Sequence, residues 1–305
     1  MGYILAVLAV FLWSFNTTVS SYFATSLAPL EIAFSRWFLA AIILVLIAGK
    51  NLWQNRVWFF KNFGYVFLLA LTGMVIVNTL IYYAGHTASA VNMSLLNTLG
   101  PVFLLLLSHS LFHTPISKTQ LLGIIITFGG VLTIILNGDF FSLSKIKWVD
   151  GDFIMLGNAF CFAIYSLLQQ KRPSFIPQTT LLASSAIIGA VLLGILMLIF
   201  VPEKQIFALK PLDIAVFVYL GIFNSVLAYM AWNTALAKIG TIKTAVIYYS
   251  LPLWASIEAY VILGERLHLP QVIGGILVIG GIVLSNLNQT KKFPAQKEKK
   301  AGNLS

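Results

Sequence analysis

Two charged residues lie inside long apolar segments of this sequence, where a charge is costly. Arg36 lies about two helical turns from the start of one such segment, and Glu258 lies one and a half turns beyond Pro252. An ionised side chain at mid-bilayer costs roughly 2.5–3.5 kcal/mol on insertion scales. Arg36 could bind a carboxylate bidentately or extend to the membrane interface. Glu258 is a candidate for proton coupling by alternating between its protonated and ionised forms, or a static partner for a neighbouring helix.

Polar and aromatic side chains in the middle of the apolar segments form a second group of candidates. Such groups are costly in lipid unless they face the protein interior or a wet cavity, so they map a solute pathway. Pro101 and Pro252 each remove a backbone hydrogen bond, which predicts a kink and a free carbonyl for gating or binding. The alternative for each polar group is a helix-to-helix hydrogen bond. The candidate substrate-binding residues are Trp13, Asn16, Arg36, Asn78, Tyr82, Asn97, Tyr165, Tyr229, Trp232, Tyr248 and Tyr249.

Other kinds of chemistry find little support. His109 and His113 have metal-ligand spacing on one helical face, but the sequence offers no third ligand nearby, which favours two interfacial histidines. Cys161 is the single cysteine, so no intramolecular disulfide is possible. The sequence contains no phosphate-binding glycine loop, no H-E-x-x-H and no G-x-S-x-G. We therefore predict no catalytic residues, no metal, no cofactor and no ATP-driven pumping within this chain.

The elements that must position these residues follow from composition. Of 305 residues, 59% are hydrophobic and 9% are charged, whereas a soluble domain averages about 25% charged residues. This excludes a soluble enzyme, a disordered chain and a disulfide scaffold. The net charge of +10 lies in short clusters between apolar runs, which is typical of membrane topology and not of nucleic-acid binding.

Apolar runs of about 20 residues predict an all-α integral membrane protein with ten transmembrane helices. Because membrane helices tolerate Pro and Gly, Pro101 and Pro252 are not expected to split their spans. The predicted spans are Gly2–Phe23, Pro29–Gly49, Phe63–Ala84, Ala90–Phe112, Gln120–Asn137, Gly151–Leu168, Thr179–Val201, Leu212–Ala235, Thr244–Leu263 and Gln271–Leu287.

The distribution of basic residues predicts the orientation of these spans. With both termini in the cytoplasm, thirteen of the 19 Lys and Arg residues lie on the cytoplasmic side, five lie outside, and Arg36 lies within a helix. The positive-inside rule therefore favours a multi-pass protein of the plasma (inner) membrane with cytoplasmic termini. Residues 289–305 are Lys-rich and predict a disordered basic cytoplasmic tail.

An internal repeat is the most informative feature of the chain. Sliding the sequence by 151 residues aligns Pro101 with Pro252, Gly123 with Gly274, and Gly129 and Gly130 with Gly280 and Gly281. The chain thus divides into residues 1–138 and 151–288, each with five helices. Because five is odd, the second copy crosses the membrane in the opposite sense. Such inverted five-helix repeats are typical of secondary transporters.

These residues also carry a family resemblance. Several elements of the chain resemble EamA-type exporters of the drug/metabolite transporter superfamily. They are the run Leu12 to Asn16, Arg36, the Pro101 and Pro252 elements, the segment Leu263 to Leu267, and the glycine-punctuated fifth and tenth helices. The resemblance implies two inverted halves around a central cavity. It also implies export of small metabolites, amino acids or amphipathic drugs by alternating access. The acidic turn at Glu265 has no counterpart in the first half, where His113 and Thr114 stand.

Several alternatives stay open at this point. An inverted-repeat carrier has no direction written into its sequence, so uptake or exchange of a nucleotide-like metabolite is a second possibility. A lipid-modifying membrane enzyme would need clustered His/Asp/Glu or Ser/Lys chemistry at one interface, which the sparse acids do not supply. A channel would favour a repeated pore-lining element without the inverted halves. The expected partners are a small-molecule substrate and the lipid bilayer, and the sequence does not distinguish a monomer from a homodimer.

Overall fold

The computed structural model describes residues 1–23, 27–87, 93, 96–112, 116–141, 148–202, 210–263 and 268–286. Regular structure in these ranges is helical throughout. The tail, the turn at Glu265 and the pair His113–Thr114 lie outside the described residues. The helices are α1 (Gly2–Phe23), α2 (Pro29–Gln54), α3 (Arg56–Lys61), α4 (Phe63–Ala84), α5 (Leu99–Phe112), α6 (Lys118–Ile135), α7 (Asp150–Gln170), α8 (Gln178–Phe200), α9 (Pro211–Ile239), α10 (Thr241–Tyr248), α11 (Leu251–Leu263) and α12 (Leu269–Asn286).

The lengths and compositions of these helices are those of a membrane protein. Among the described residues, α2, α4, α6, α7, α8 and α9 are each long and apolar enough to cross a bilayer. Shorter apolar helical stretches cover Gly2–Phe15, Leu99–Leu111 and Leu269–Ser285. The prediction of an all-helical membrane protein is confirmed by these spans.

The distribution of polarity is the reverse of that in a soluble protein. Large apolar side chains such as Leu46 on α2 and Leu198 on α8 are exposed, at 81% and 66% of their surface. Polar residues such as Asn224 and Asp152 are fully buried. The helices therefore turn apolar faces outward to lipid and enclose their polar groups, which must find partners inside.

Local sequence signals set the helix starts. Pro29 opens α2, and the Glu31 carboxylate accepts the Ala28 N–H at 3.0 Å, as expected of a capping residue. Ser117 and Gln120 form a reciprocal capping box before α6, at 2.9 and 3.2 Å. These partners satisfy amide groups that the first helical turn leaves unpaired.

The predicted span Thr244–Leu263 is divided in the structure, which corrects the expectation of one continuous helix. Helix α10 ends at Tyr248 and α11 begins at Leu251, with Tyr249 and Ser250 in a turn between them. Pro252 has no N–H to continue the ladder, so a new helix starts around it. The same sequence element in the first half places Thr98 in a turn before α5, which carries Pro101.

Two helices change their winding in the middle. Leu71–Ile76 within α4 and Leu220–Leu227 within α9 are π-helical, with each hydrogen bond reaching one residue farther than in an α-helix. Positions 222–227 are those of the first segment displaced by 151 residues, so the two segments occupy matching places in the repeat. Such wide turns redirect side chains and commonly mark functional sites.

Glycines bring α6 and α12 into backbone contact. A Cβ on Gly130 would lie 2.7 Å from the Gly274 carbonyl oxygen, and one on Gly274 would lie 2.7 Å from the Gly130 carbonyl. Gly123 and Gly281 approach each other in the same reciprocal way, at 2.7 and 2.6 Å. Because these distances are too short for any side chain, close helix packing requires glycine at these four positions.

We predict that Gly130→Ala destabilises the protein while Gly129→Ala does not. The added methyl group at Gly130 meets backbone atoms of α12 and forces the helices apart, whereas at Gly129 it meets no described atom within 4 Å. Overpacking of this kind typically costs about 1–3 kcal/mol. Thermal unfolding of the purified protein in detergent should show a lower midpoint for Gly130→Ala only; equal midpoints would contradict the packing account.

Candidate functional site

The Arg36 guanidinium is held inside the protein by three hydrogen bonds. Its Nε donates to Ser225 Oγ at 2.9 Å, its Nη2 to Asn224 Oδ1 at 2.5 Å and its Nη1 to Tyr82 Oη at 3.3 Å. Only 1% of Arg36 is exposed, so it does not extend to the membrane interface. All three acceptors are neutral, and among the described residues no carboxylate contacts the guanidinium. Among the described residues, the hydrogen bonds to the positive charge therefore come from neutral groups.

The π segment of α9 presents two of these acceptors. Asn224 also donates through Nδ2 to the Leu12 carbonyl at 3.1 Å, and its own carbonyl accepts the Trp13 indole N–H at 3.1 Å. One residue thus connects α9 to α1 by two bonds and to Arg36 on α2 by a third. The position of α1 and the position of the guanidinium are consequently linked.

The π segment of α4 is bound by a matching set of contacts. Tyr229 donates to the Gly73 carbonyl at 2.9 Å, and Asn78 donates to the carbonyls of Gly73 and Met74 at 2.9 and 3.0 Å. Asn78 and Tyr229 stand 151 residues apart and lie 3.3 Å from each other. Gly73 is required here because a Cβ would lie 2.2 Å from the Tyr165 ring.

A second pair of repeat-related residues meets at the helix breaks. Tyr248 donates to Asn97 Oδ1 at 3.2 Å, and these residues are also 151 positions apart. Each stands just before the proline-bearing helix of its half, Asn97 before α5 and Tyr248 before α11. The two breaks therefore face each other across the protein interior.

Aromatic rings surround Trp13. Its ring centroid lies 5.3 Å from that of Tyr229, 5.4 Å from Trp232, 5.5 Å from Phe162 and 6.2 Å from Tyr248. The contacts are mainly edge-to-face, a favourable arrangement for aromatic pairs. They form an aromatic wall in the protein interior.

A cavity lies among these groups. Its volume is about 60 Å³, several times the roughly 10–15 Å³ that one water needs. Arg36 supplies a cation, asparagines supply amides, and Trp13, Phe162, Tyr229 and Tyr248 supply rings. Its lining comprises Trp13, Arg36, Val77, Asn78, Ile81, Asn97, Asn158, Phe162, Asn224, Tyr229, Tyr248 and Leu251.

Some residues predicted from the sequence do not line the cavity. Tyr82 holds Arg36, and Trp232 packs behind Trp13 with its indole N–H on Ser166 Oγ at 3.2 Å. Tyr165 accepts from Asn233 at 2.7 Å. They are placed to support the lining residues, because none of the three lines the cavity.

Two further predicted residues are not part of the lining. Tyr249 is buried in a separate apolar cluster with Val131, Ile134 and Val278, and its ring lies 6.2 Å from that of Phe128. The Asn16 side chain lies outside the described residues. The structure therefore does not bring either residue into the cavity.

The sequence-based selection omitted Asn158, Phe162 and Asn224. Asn158 donates to the Val77 carbonyl at 2.5 Å, which turns its amide oxygen away from α4. The available signal for Asn158 and Asn224 was a polar residue in the middle of an apolar segment. Phe162 had no such signal, since aromatic residues make up 13% of the chain and nothing in the sequence distinguishes this one.

Glu258 lies on α11, away from the cavity lining. Its Oε1 is hydrogen-bonded to Ser14 Oγ on α1, and only 6% of the residue is exposed. Pro101 and Pro252, predicted as kinks, lie within α5 and α11 directly after the breaks. Among the described residues no group of three His, Cys, Asp or Glu could hold a metal; His113 lies outside them.

We predict that Asn224→Ala destabilises the protein more than Ser225→Ala. Asn224 joins three helices and receives a hydrogen bond from a buried cation, and bonds to charged groups contribute about 1.5–3 kcal/mol. Ser225 makes a single bond to the same guanidinium. Thermal unfolding midpoints should fall in this order, and an unchanged midpoint for Asn224→Ala would argue against the Arg36 network as a structural element.

Comparison with known proteins places the chain among transporters. A model of the EamA-like transporter family matches residues 1–136 and again 150–287. An uncharacterized transporter, YyaM of Bacillus subtilis, is 28% identical over 88% of each chain, and one of Archaeoglobus fulgidus is 28% identical over 94% of this chain and 98% of its own.

Two further similarities extend this result. A Streptantibioticus cattleyicolor protein, named as a probable terminal-alkyne amino-acid exporter, is 25% identical over 84% of this chain and 83% of its own. A crystal structure of a protein 14% identical in sequence superposes with a TM-score of 0.72, covering 94% of this chain and 97% of that one. The latter similarity concerns the fold alone.

Proposed function

This chain belongs to the EamA-like transporter family, and we propose that it is a secondary active transporter that exports small organic solutes by alternating access. The family is one of transporters and not of enzymes. The observation that carries the proposal is the cavity in which one buried cation, several amides and an aromatic wall converge. Ligand sites of carriers combine few polar groups with apolar walls in this way.

Alternating access requires two halves that can rock about a shared site. We propose that residues 1–138 and 151–288 are inverted five-helix repeats that together supply ten transmembrane helices. The contacts Asn78–Tyr229 and Asn97–Tyr248 support this, because residues 151 positions apart meet each other only close to a two-fold axis. The reciprocal approaches of Gly123 to Gly281 and of Gly130 to Gly274 support the same axis. Inverted repeats place the substrate site at such an axis.

The chemistry of the cavity favours solutes that carry a carboxylate. A guanidinium has five N–H donors, and three of those of Arg36 are engaged, which leaves one on each terminal nitrogen. Two parallel donors match the two oxygens of a carboxylate. The charge of such a solute would compensate a cation whose described partners are all neutral.

An amino acid suits the remaining groups of the cavity. Asn78 and Asn158 donate their NH₂ groups to backbone carbonyls of α4, so their amide oxygens are left as acceptors for an ammonium group. The rings of Trp13, Phe162 and Tyr248 offer an apolar surface for a side chain. The name of the Streptantibioticus relative, an amino-acid exporter, supports the same class.

The small volume of the cavity implies movement during transport. The cavity has a volume of about 60 Å³, several times the roughly 10–15 Å³ that one water needs, and we propose that the helices around it separate for binding and release of a larger solute. The breaks before α5 and α11 and the π segments are the flexible points from which this opening can start. We propose Pro101 and Pro252 as gating positions on this ground.

We predict that the charge of Arg36 determines binding of carboxylate solutes. In thermal-stabilisation assays on the purified protein, L-phenylalanine should stabilise the wild type, while phenethylamine, which lacks the carboxylate, should not. Arg36→Gln should weaken L-phenylalanine binding by roughly 10–100-fold, the equivalent of a charged hydrogen bond of about 1.5–3 kcal/mol.

Arg36→Lys and Tyr82→Phe serve as matched controls. Lysine keeps the charge but loses the planar pair of donors, so an intermediate affinity is expected. Tyr82→Phe removes one acceptor of Arg36 without changing the charge, and binding should be largely kept. Undiminished L-phenylalanine binding by a folded Arg36→Gln protein would exclude the carboxylate assignment.

We propose a plasma (inner) membrane location with both termini in the cytoplasm, on the strength of the basic-residue asymmetry. The test uses Cys161→Ser as background, since this is the single native cysteine. Lys297→Cys in this background should react with a membrane-impermeant maleimide in inside-out vesicles and resist it in intact cells. Labelling of intact cells would reverse the proposed orientation.

A further inference from the structure

The Glu258 carboxyl is buried between α11 and α1 and only half satisfied. One oxygen, Oε1, is hydrogen-bonded to Ser14 Oγ, and the other, Oε2, is buried without a hydrogen-bond partner among the described residues. An ionised carboxylate with a bare oxygen in an apolar interior is strongly disfavoured. We therefore expect the carboxyl group to bind a further group that neutralises its charge.

Counting protons identifies that ligand. Ser14 Oγ lies within hydrogen-bond distance of two oxygens, the Phe11 carbonyl at 2.6 Å and Glu258 Oε1. A hydroxyl has one proton, and the Phe11 carbonyl has none to give. Both contacts are hydrogen bonds at the same time only if Glu258 carries a proton and donates it to Ser14. An ionised Glu258 would accept the hydrogen bond of the Ser14 hydroxyl, and the Phe11 carbonyl would lose that donor.

Among the described residues, the helices packed against α11 supply no fixed counter-charge to Glu258. Helices α1 and α12, which pack against α11, carry no Asp, Glu, Lys, Arg or His in their described sequences, and α6 carries Lys118 only at its first position. Tyr219 on α9 lies within electrostatic reach of both Glu258 and Arg36, and its hydroxyl donates to the Leu12 carbonyl at 3.4 Å. A metal ion would need more ligands than these oxygens offer, so a proton is the ligand that fits.

A short stretch of α1 connects this carboxyl to the solute cavity. Ser14 contacts Glu258, the adjacent Trp13 lines the cavity, and Leu12 and Trp13 are the two residues that hold Asn224. Asn224 in turn accepts from Arg36. Ser14 is thus adjacent in sequence to Trp13, which contacts Asn224, and Asn224 positions the guanidinium.

We propose that Glu258 is a proton-binding site that couples to the solute cavity through Leu12, Trp13 and Ser14 of α1, so that the protein exchanges protons for solute. This inference rests on the proposed transport function. Protonated Glu258 donates to Ser14 and leaves α1 bonded to its own backbone. Loss of the proton turns the Ser14 hydroxyl toward Glu258. The position of α1 then changes, and with it the hydrogen bonds that Asn224 makes to α1 and to Arg36. Ser14 is a positioning residue in this scheme.

The proton itself can be observed without any substrate. Infrared difference spectra of the full-length protein between acidic and alkaline buffer should contain a protonated-carboxyl band that Glu258→Gln abolishes. Glu31→Gln is the matched control, because Glu31 is also buried but caps α2, and it should keep the band. Ser14→Ala should keep the band at a shifted frequency, since the acceptor is lost. An unchanged band in a folded Glu258→Gln protein would overturn the proposal.

Transport in proteoliposomes tests the coupling, with L-phenylalanine as probe. Wild type and Glu31→Gln should accumulate the probe under an imposed pH gradient and also exchange it in counterflow without a gradient. Glu258→Gln should keep counterflow but lose gradient-driven accumulation to the level seen without a gradient, and Ser14→Ala should reduce it. Accumulation that persists in Glu258→Gln would refute coupling at this residue.

Absence of counterflow in the wild type would instead count against the proposed function, and the infrared result would still decide the proton site.

Discussion

A guanidinium buried in an apolar environment must be surrounded by hydrogen-bond acceptors, and much of the interior of this protein follows from meeting that need for Arg36. Its acceptors come from α4 and α9, two helices remote in sequence. Because the acceptors are neutral, the charge is stabilised without being cancelled. An ion pair would have stabilised the cation more simply, but it would have removed the attraction for the carboxylate solute that we propose. Compared with an ion pair, the neutral acceptors stabilise Arg36 less but leave its charge facing the cavity.

Irregular backbone occurs next to the cavity, where it brings polar groups into contact. The π segments of α4 and α9 present carbonyls and amides to one another, to Arg36 and to α1, and the breaks before α5 and α11 bring Asn97 to Tyr248. In a membrane, backbone that departs from α-helix is tolerated only where protein or a cavity lines it, because lipid offers no hydrogen bonds. The coincidence of irregular backbone and cavity is thus a physical requirement, and it concentrates flexibility around the site.

The contrast between the two kinds of interface is equally informative. Helices α6 and α12 meet through glycines at backbone distance, an interface that leaves little room for change. Around the cavity, by contrast, helices meet through long polar and aromatic side chains that can take other rotamers. A carrier needs both, a tight contact about which its parts turn and an adaptable one that opens. Glu258 and Ser14 lie at the edge of the adaptable region, where α1 could transmit a change at one group to the other.

The sequence by itself determined the class of this protein and most of its polar interior. Apolar run length fixed a helical membrane protein because lipid requires internal backbone bonding, and the 151-residue offset identified the glycines and prolines that the packing and the breaks depend on. It also indicated Trp13, Arg36, Asn78, Asn97, Tyr229 and Tyr248, since a polar or aromatic group at mid-depth needs an internal partner.

Only the tertiary structure decided which of these groups share one cavity. Depth along a helix can be read from sequence, but the direction of a side chain depends on the rotation and winding of the helix, and the π segments alter both. Tyr82, Tyr165, Trp232 and Tyr249 thus share the sequence signal of the lining residues yet do not line the cavity, while Asn158 and Phe162 do. The bonding of Ser14 to both Phe11 and Glu258 likewise had no signal in the sequence, because it depends on how α1 packs against α11.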